Sequence, residues 1–195
     1  MEKDSEDRTP KDVRIAYLSK AEFDSDEGKS YRGGALVVDA HGTPLEFRCT
    51  SPIRPNAVQR TLYGSSLDPF MLVQLMAKPL LASLREEFHV LLVDDRWFLN
   101  VRDENDTPAL FVRRHGTDVT GEGSGDQDKR SALIDSPSGR FAPVVAETFH
   151  KNREDTNSVS SVLQDASAHI DLLEPFQRIQ RALEKVHEEK AVDQR

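Results

Sequence analysis

Three residues of one predicted β-hairpin have the types that metal-dependent phosphodiester hydrolysis uses. Asp39 stands near the end of one strand, and Glu46 and Arg48 follow on the next strand, separated by one residue. Two carboxylates that share a divalent cation, with a basic group beside them, can position a water molecule and stabilise a phosphate. Asp94 or Asp95, at the end of another predicted strand, would add a further carboxylate.

The direction of the side chains in this hairpin argues against such a site. Side chains alternate between the two faces of a strand. If Asp39 pairs with Thr43 across a three-residue turn, Glu46 lies opposite Leu36 and points to the other face from Asp39. If the turn has four residues, Glu46 lies opposite Ala35, on the same face as Asp39 but about 13 Å away at roughly 3.3 Å per residue. Neither register lets the two carboxylates share a cation, so we assign no catalytic residue and no metal ligand.

The other candidates have simpler structural interpretations. Cys49, the one cysteine of the chain, continues the apolar alternation of Leu45 and Phe47 and is expected to be an inert core thiol. Asp94 and Asp95 have the composition of a tight turn. No pair of histidines has metal-ligand spacing, and the one glycine-rich run lacks the lysine of a phosphate-binding loop. The sequence therefore predicts no cofactor.

Residues 31–64 hold a local excess of positive charge. They contain four arginines, two acids and no lysine, whereas the whole chain carries a formal net charge of −8. Arginine suits bidentate contacts with carboxylates and is enriched at protein interfaces. We therefore predict that these arginines bind an acidic protein surface: Arg32, Arg48, Arg54 and Arg60. The negative charge of the whole chain argues against nucleic acid as a ligand.

The C-terminal segment carries a narrow apolar stripe at helical spacing. Its members recur three and four positions apart: Phe176, Ile179, Leu183 and Val186. Such a stripe must be covered, either by the sheet of the protein itself or by a helix or groove of a partner. Residues 150–158 form a polar connection that would let this segment act semi-independently. Both alternatives are left open, and so is a homo-oligomer.

The order of the predicted elements indicates one α+β domain. Strands are predicted at residues 13–18, 34–39, 45–50, 88–93, 97–101 and 109–112, with an acidic connection at 21–30, and residues 141–149 could add one strand. One helix begins after Asn56, and a second, buried and kinked near Pro79, begins at Asp68. We expect a single antiparallel sheet of about five to six strands covered by helices, in which residues 88–112 form a meander. This element order is analogous to that of profilin-like and roadblock-like domains.

Composition divides the chain into a core and segments of low apolar content. Hydrophobic residues make up 37% of the chain and charged residues 31%, so part of the chain is expected to be unstructured. We predict a disordered acidic tail at 1–12, an α+β domain at 13–149 with a mobile loop at 115–140, and a polar connection with amphipathic helices at 150–195. The chain has no membrane-spanning run and no secretory signal, which predicts a cytoplasmic protein without membrane contact.

These patterns favour a non-catalytic cytoplasmic protein that binds another protein as a subunit or adaptor of a larger complex. One alternative is a metal-dependent nuclease or phosphodiesterase built from Asp39, Glu46 and either Asp94 or Asp95. The other is a nucleic-acid-binding accessory protein, whose affinity would fall steeply with salt.

Overall fold

The computed structural model describes residues 13–25, 28–116 and 129–192. The strands of this part of the chain are β1 (Arg14–Ser25), β2 (Gly28–Asp39), β3 (Pro44–Cys49), β4 (Val90–Val93), β5 (Ala109–Arg114), β6 (Lys129–Ile134) and β7 (Val144–Phe149). They form one mixed sheet of seven strands in the order β3-β2-β1-β4-β5-β7-β6. β1, β4 and β5 run parallel to one another, and the other neighbouring pairs are antiparallel.

Helices cover both faces of the sheet. The α-helices are α1 (Ala57–Tyr63), α2 (Leu67–Phe70), α3 (Lys78–Ser83), α4 (Glu154–Ser167) and α5 (Glu174–Val192), with a π-helical segment at Met71–Ala77 and 3-10 turns at Gly64–Ser66, Arg96–Asp103 and His150–Asn152. α4 and α5 pack on the face that contains Ile15 and Tyr17, and the helices of residues 67–83 pack on the face that contains Ala16 and Leu18. None of the described helices is long and apolar enough to cross a membrane.

The glycine pair of β2 lets helices approach the strand from both faces. A Cβ atom on Gly34 would lie 2.6 Å from Cγ2 of Ile179, and one on Gly33 would lie 2.9 Å from Cβ of Met76. Both distances are shorter than carbon atoms tolerate, so any larger residue would displace a helix. The pair therefore fixes how closely α5 lies over the centre of the sheet.

The helix starts follow the sequence signals. Gln59 N–H donates to the Asn56 side chain at 2.8 Å, and Asn56 N–H donates to the Gln59 side chain at 2.9 Å, which together form a capping box. At Pro79, where a kink is predicted, the preceding residues are π-helical and Lys78 N–H donates to the carbonyl of Val73. Proline has no N–H to donate, which favours such a change of helical pairing just before it.

The prediction of one α+β sheet covered by helices is confirmed, but the sheet is neither purely antiparallel nor limited to five or six strands. The profilin-like and roadblock-like analogy does not match it. The main error concerns residues 97–101, which were predicted as a strand. They lie in the 3-10 turn Arg96–Asp103, which begins where Asp95 accepts the Trp97 N–H at 3.0 Å. This turn carries the chain across to a parallel β5, so no meander forms.

Two segments differ from their predicted boundaries. β1 and β2 extend into the predicted acidic connection, where Ser25 pairs with Gly28. β6 lies inside the predicted mobile loop at 115–140, because Ile134 is buried against the core although the surrounding composition is polar. The predicted tail at 1–12 and residues 117–128 of the loop lie outside the described residues, and the division of the chain into a domain and terminal segments stays a prediction.

Candidate functional site

The hairpin of β2 and β3 has the predicted three-residue turn, in which Asp39 N–H donates to the Thr43 carbonyl at 3.1 Å, but not the register that this turn predicts for the rest of the two strands. The register shifts between Val37 and Val38, so that Glu46 pairs with Val37. A β-bulge of this kind moves every later side chain of the strand to the other face. Asp39 and Glu46 therefore lie on the same face, about 7 Å apart along the strands. Geometry alone does not exclude a shared cation, and the hydrogen bonds of the two carboxylates decide the question.

The Asp39 carboxylate closes its own turn. It accepts the N–H of His41 at 2.9 Å and the N–H of Thr43 at 2.8 Å. Desolvation opposes ionisation of this carboxyl, but the hydrogen bonds from Thr43 and His41 outweigh it and hold the pKa of Asp39 below its usual value. Asp39 is a turn residue.

The Glu46 carboxylate caps the chain that follows α3. It accepts the N–H groups of Arg85 and Glu86 at 2.8 and 2.9 Å, and its other oxygen lies 2.6 Å from Arg48. The backbone hydrogen bond from Glu86 is the largest reason why the pKa of Glu46 lies below its usual value, and Arg48 adds to the effect. Both oxygens are in use, so the predicted nuclease constellation of the hairpin does not form.

A second group of acids and bases lies where β1 and β4 run side by side. Because these strands are parallel, the residues at the ends of their shared segment are neighbours: Ser19 and Lys20 on β1, and Asp94 and Asp95 after β4. Ser19 Oγ donates to Asp94 Oδ2 at 2.5 Å, and Lys20 Nζ lies 2.9 Å from Asp95 Oδ2. Side chains alternate along both strands, so the Ser19–Asp94 contact lies on the sheet face of Tyr17 and the Lys20–Asp95 contact lies on the face of Leu18. We call these four residues the β1–β4 edge.

α5 reaches into this edge through one side chain. Gln180 Nε2 donates to Ser19 Oγ at 2.7 Å and to the carbonyl of Lys20 at 2.5 Å. Ser19 is fully buried. Since its hydroxyl accepts from Gln180, its single proton is directed at Asp94. The helix therefore fixes the orientation of the hydroxyl that faces the acid.

The carboxyl of Asp94 has an unusual proton affinity. Desolvation by the surrounding protein raises its pKa to about 7; the hydrogen bond from Ser19 opposes this shift and the charge of Asp95 adds to it. The residue as a whole is nevertheless exposed to solvent. Exposure limits the size of the effect, because water that reaches a carboxyl restores part of its hydration. The direction of the shift follows from both the crowding and the neighbouring charge.

Asp95 is engaged on both oxygens. Oδ1 accepts the N–H of Trp97 at 3.0 Å, and Oδ2 pairs with Lys20 at 2.9 Å. The side chains of Lys20 and Asp95 are 38% and 23% exposed, so the pair lies at the surface without being fully solvated.

The described residues do not fit a resident divalent cation. No group of three or more His, Cys, Asp or Glu side chains among them is arranged to hold one. A cation on Asp95 Oδ2, at a metal–oxygen distance of about 2.1 Å, would lie within about 5 Å of Lys20 Nζ. Repulsion would then cost about 3 kcal/mol per unit charge at an effective dielectric constant of about 20. Lys20 already supplies the positive charge at this place.

Basic and aromatic side chains follow Asp95 directly in the sequence. Trp97 is 40% exposed. Arg96 and Arg113 both bind Glu147, at 2.6 and 2.8 Å. Desolvation opposes ionisation of Glu147, but the hydrogen bonds from both arginines outweigh it and hold its pKa below the usual value. Two guanidinium groups on one carboxylate give this part of the surface a local positive charge.

The four predicted partner-binding arginines do not share one environment. Arg32 is buried and donates to the carbonyl of Thr50 at 3.0 Å. Arg48 is engaged with the hairpin acid described above. Arg54 and Arg60 are exposed. A buried guanidinium cannot contact a partner surface, so Arg32 does not take the predicted role.

The apolar stripe of the C-terminal segment covers the sheet of the protein itself. Phe176, Ile179 and Leu183 are buried in the same core as Tyr17. The Phe176 ring meets the Tyr17 ring edge-to-face, with centroids 5.2 Å apart. Val186, one turn further, is half-buried. The first of the two alternatives for this stripe is therefore the one that the structure adopts.

The sequence patterns did not single out Ser19, Lys20, Gln180 or Trp97. The one signal near them was the acid pair that follows the apolar run of β4. Its significance depends on the parallel pairing of β1 with β4, which no local pattern encodes.

No protein-family model and no curated protein matches the chain. Among solved structures, it is similar to an endonuclease V from Bacillus subtilis, with 13% sequence identity and a TM-score of 0.56 over 91% of this chain and 83% of that one. An endonuclease V from Ciona intestinalis, in complex with a 24mer DNA containing an inosine followed by a ribo-adenosine, matches with 11% identity and a TM-score of 0.49 over 89% and 87% of the two chains. The chain has the fold of the Bacillus endonuclease V.

This fold contradicts two predictions. The comparison contradicts the hypothesis of a non-catalytic protein-binding adaptor, because a solved structure with this fold is an endonuclease V. The argument against nucleic acid as a ligand is also wrong. It used the net charge of −8 of the whole chain, whereas binding depends on the potential at one site.

Proposed function

We propose that this protein acts on nucleic acid and cleaves phosphodiester bonds at the β1–β4 edge. The observation that carries the proposal is the position of Asp94, which lies at the carboxyl end of β4 and accepts the oriented Ser19 hydroxyl. In the sheet, β1 lies between β2 and β4, so the chain leaves β1 toward one neighbouring strand and later returns as the other. Sheets bind ligands at the carboxyl ends of the strands at such a switch point. The likeness in fold to an endonuclease V supports the same class of substrate.

The residues of the edge suit this chemistry without a resident metal ion. A pKa near neutrality lets the Asp94 carboxyl take a proton from an attacking water as the water oxygen bonds to phosphorus. The bond from phosphorus to the leaving nucleotide oxygen then breaks, and that oxygen takes a proton from solvent. The Lys20 side chain leaves β1 on the other face of the sheet from Asp94, and its charge acts on the Asp94 carboxyl. From there the ammonium stabilises negative charge on a phosphate that lies beyond the end of β4, where both faces are within reach. The exposed ring of Trp97 offers a stacking surface to a base.

A cleavage assay with the full chain tests the proposal. Labelled single-stranded and duplex DNA and RNA are incubated with the wild-type protein and with Asp94→Asn, and an inosine-containing strand is included because the Ciona protein was crystallised with one. We expect cleavage by the wild type and a loss of about a hundredfold or more in Asp94→Asn, the scale of general acid–base catalysis.

Asp165→Asn is the matched control, since it removes an exposed acid on α4. It should cleave like the wild type. Wild-type protein that cleaves none of these substrates, or cleavage by Asp94→Asn at the wild-type rate, would contradict the proposal. The cytoplasmic location predicted from the sequence stays part of it.

A further inference from the structure

We infer that the Lys20 ammonium is the resident cation of the β1–β4 edge, so that this site works without a divalent metal ion. The inference rests on the proposed function, because a cation can take part in a reaction only if the protein cleaves phosphodiester bonds at this place. Its structural basis is independent of that function. Lys20 Nζ lies 2.9 Å from Asp95 Oδ2, where two parallel strands bring their polar side chains together.

The fold holds Lys20 in place from two directions. Lys20 lies within β1 and pairs with Gly33 of β2, so its backbone is held in the sheet. Its carbonyl accepts a hydrogen bond from Gln180 at 2.5 Å. The ammonium is therefore tethered to a rigid strand, and unlike a free ion it cannot be diluted away or removed by a chelator.

The carboxylates leave little room for a competing metal ion. Asp95 uses its second oxygen to cap the Trp97 N–H at 3.0 Å, and Asp94 Oδ2 accepts from Ser19 at 2.5 Å. A divalent cation that bridged Asp94 and Asp95 would have to break either the ion pair or the cap. Hard cations such as Mg²⁺ need several oxygen ligands.

The ammonium can bind a phosphate while it keeps its carboxylate. Lysine has three donors, and the Lys20 side chain is 38% exposed. One donor can remain on Asp95 while another reaches a phosphate oxygen. The site thus offers a fixed positive charge to the phosphodiester group, the part that a metal ion takes in other phosphodiesterases.

Manganese binding tests the inference directly. Full-length wild type, Lys20→Gln, Lys20→Arg, Asp95→Asn and the double variant Lys20→Gln/Asp95→Asn are titrated with Mn²⁺, and free Mn²⁺ is measured by electron paramagnetic resonance. We expect binding to Lys20→Gln about tenfold tighter or more, because a like charge beside the carboxylates is gone. Wild type and Lys20→Arg should bind no better than the double variant. Lys185→Gln, which removes an exposed lysine of α5, is the charge-matched control.

The outcomes separate this inference from the proposed function. Wild-type protein that binds Mn²⁺ and loses the binding in Asp95→Asn would overturn the inference, and so would a Lys20→Gln variant without a gain. Thermal unfolding confirms that each variant is folded. If Lys20→Gln does not fold, the comparison of wild type with Lys20→Arg supplies the test.

Cleavage that needs added Mg²⁺ and stops in a chelator would overturn the inference and leave the proposed function standing. Absence of cleavage under every condition would remove the proposed function, while the Mn²⁺ result would still decide the inference.

Discussion

The two acids of the β2–β3 hairpin and Asp94 of the β1–β4 edge have opposite electrostatic character. In the β2–β3 hairpin, Asp39 and Glu46 accept hydrogen bonds from backbone N–H groups, and their pKa values lie below the usual range. At the β1–β4 edge, Asp94 accepts from the Ser19 side chain and its pKa is raised. Backbone donors are fixed by the fold, whereas side-chain partners can exchange for a ligand. The hairpin acids are therefore structural, and Asp94 is available for chemistry.

The direction of the pKa shift separates a structural acid from an acid available for chemistry better than the spacing of the acids in the sequence does. A carboxyl stabilised in its ionised form is a poor proton acceptor, because it gives up stabilising hydrogen bonds when it is protonated. A carboxyl with a raised pKa exchanges its proton near neutral pH. Removing each acid in turn should therefore change stability in the hairpin and activity at the edge.

The largest loss of stability is expected from Glu46→Ala. The change leaves the N–H groups of Arg85 and Glu86 without their acceptor and removes the partner of Arg48. Unmet donors of this kind, next to a charged group, cost about 2 to 3 kcal/mol. Chemical denaturation with urea measures the free energy of unfolding.

Glu46→Gln is the control, because its amide oxygen can still accept one backbone N–H. It should lose less than half as much stability. If Glu46→Ala unfolds at the same urea concentration as the wild type, the hairpin acid is not structural and the contrast between the two regions fails.

Asp39→Ala should have an intermediate effect of about 1 kcal/mol. It removes the acceptor of the His41 and Thr43 N–H groups, but water can replace part of these bonds because the turn is exposed. The pKa of Asp39 is lowered in the folded state, so the stability that it contributes is present above the unfolded pKa of about 4 and is lost as the pH falls below it.

Unfolding at pH 7 and pH 3 therefore checks the sign. The difference between wild type and Asp39→Ala should shrink at the lower pH. An equal difference at both values would show that the carboxylate charge plays no part in closing the turn.

The parts of this fold that local patterns encode were predictable. The hairpin turn and the helix start at Asn56 each involve residues that are near in sequence. The bulge that re-aims Glu46 was not predictable, since the same residues suit several turn lengths. Residues 97–101 were misassigned because a buried 3-10 turn and a buried strand have similar apolar content.

The candidate site depends on contacts between distant parts of the chain. Ser19 and Asp94 are 75 residues apart, and Gln180 is 161 residues from Ser19. No periodicity links such positions, and only the strand order brings them together. For the same reason, the acid pair after β4 resembled a tight turn in the sequence and became a candidate site only beside β1.

The smallest change of stability, and one of opposite sign, is expected from Asp94→Asn. The folded pKa of Asp94 is raised, so the folded state binds this proton more tightly than the unfolded state does. Its ionisation then costs stability as the pH rises from about 4 through about 7. Asparagine keeps an acceptor for Ser19 and removes this cost. We expect Asp94→Asn to match the wild type at pH 4 and to exceed it by about 0.5 kcal/mol at pH 8, well below the full equivalent of the shift because the residue is exposed.

Urea unfolding of both proteins across this pH range checks the prediction, with Asp165→Asn as an exposed acid that should show no such trend. A wild type that gains stability over Asp94→Asn as the pH rises would mean that the Asp94 carboxylate is stabilised in its ionised form, as the hairpin acids are. Asp94 would then belong with Asp39 and Glu46, and the β1–β4 edge would lose the group that is to accept a proton from water.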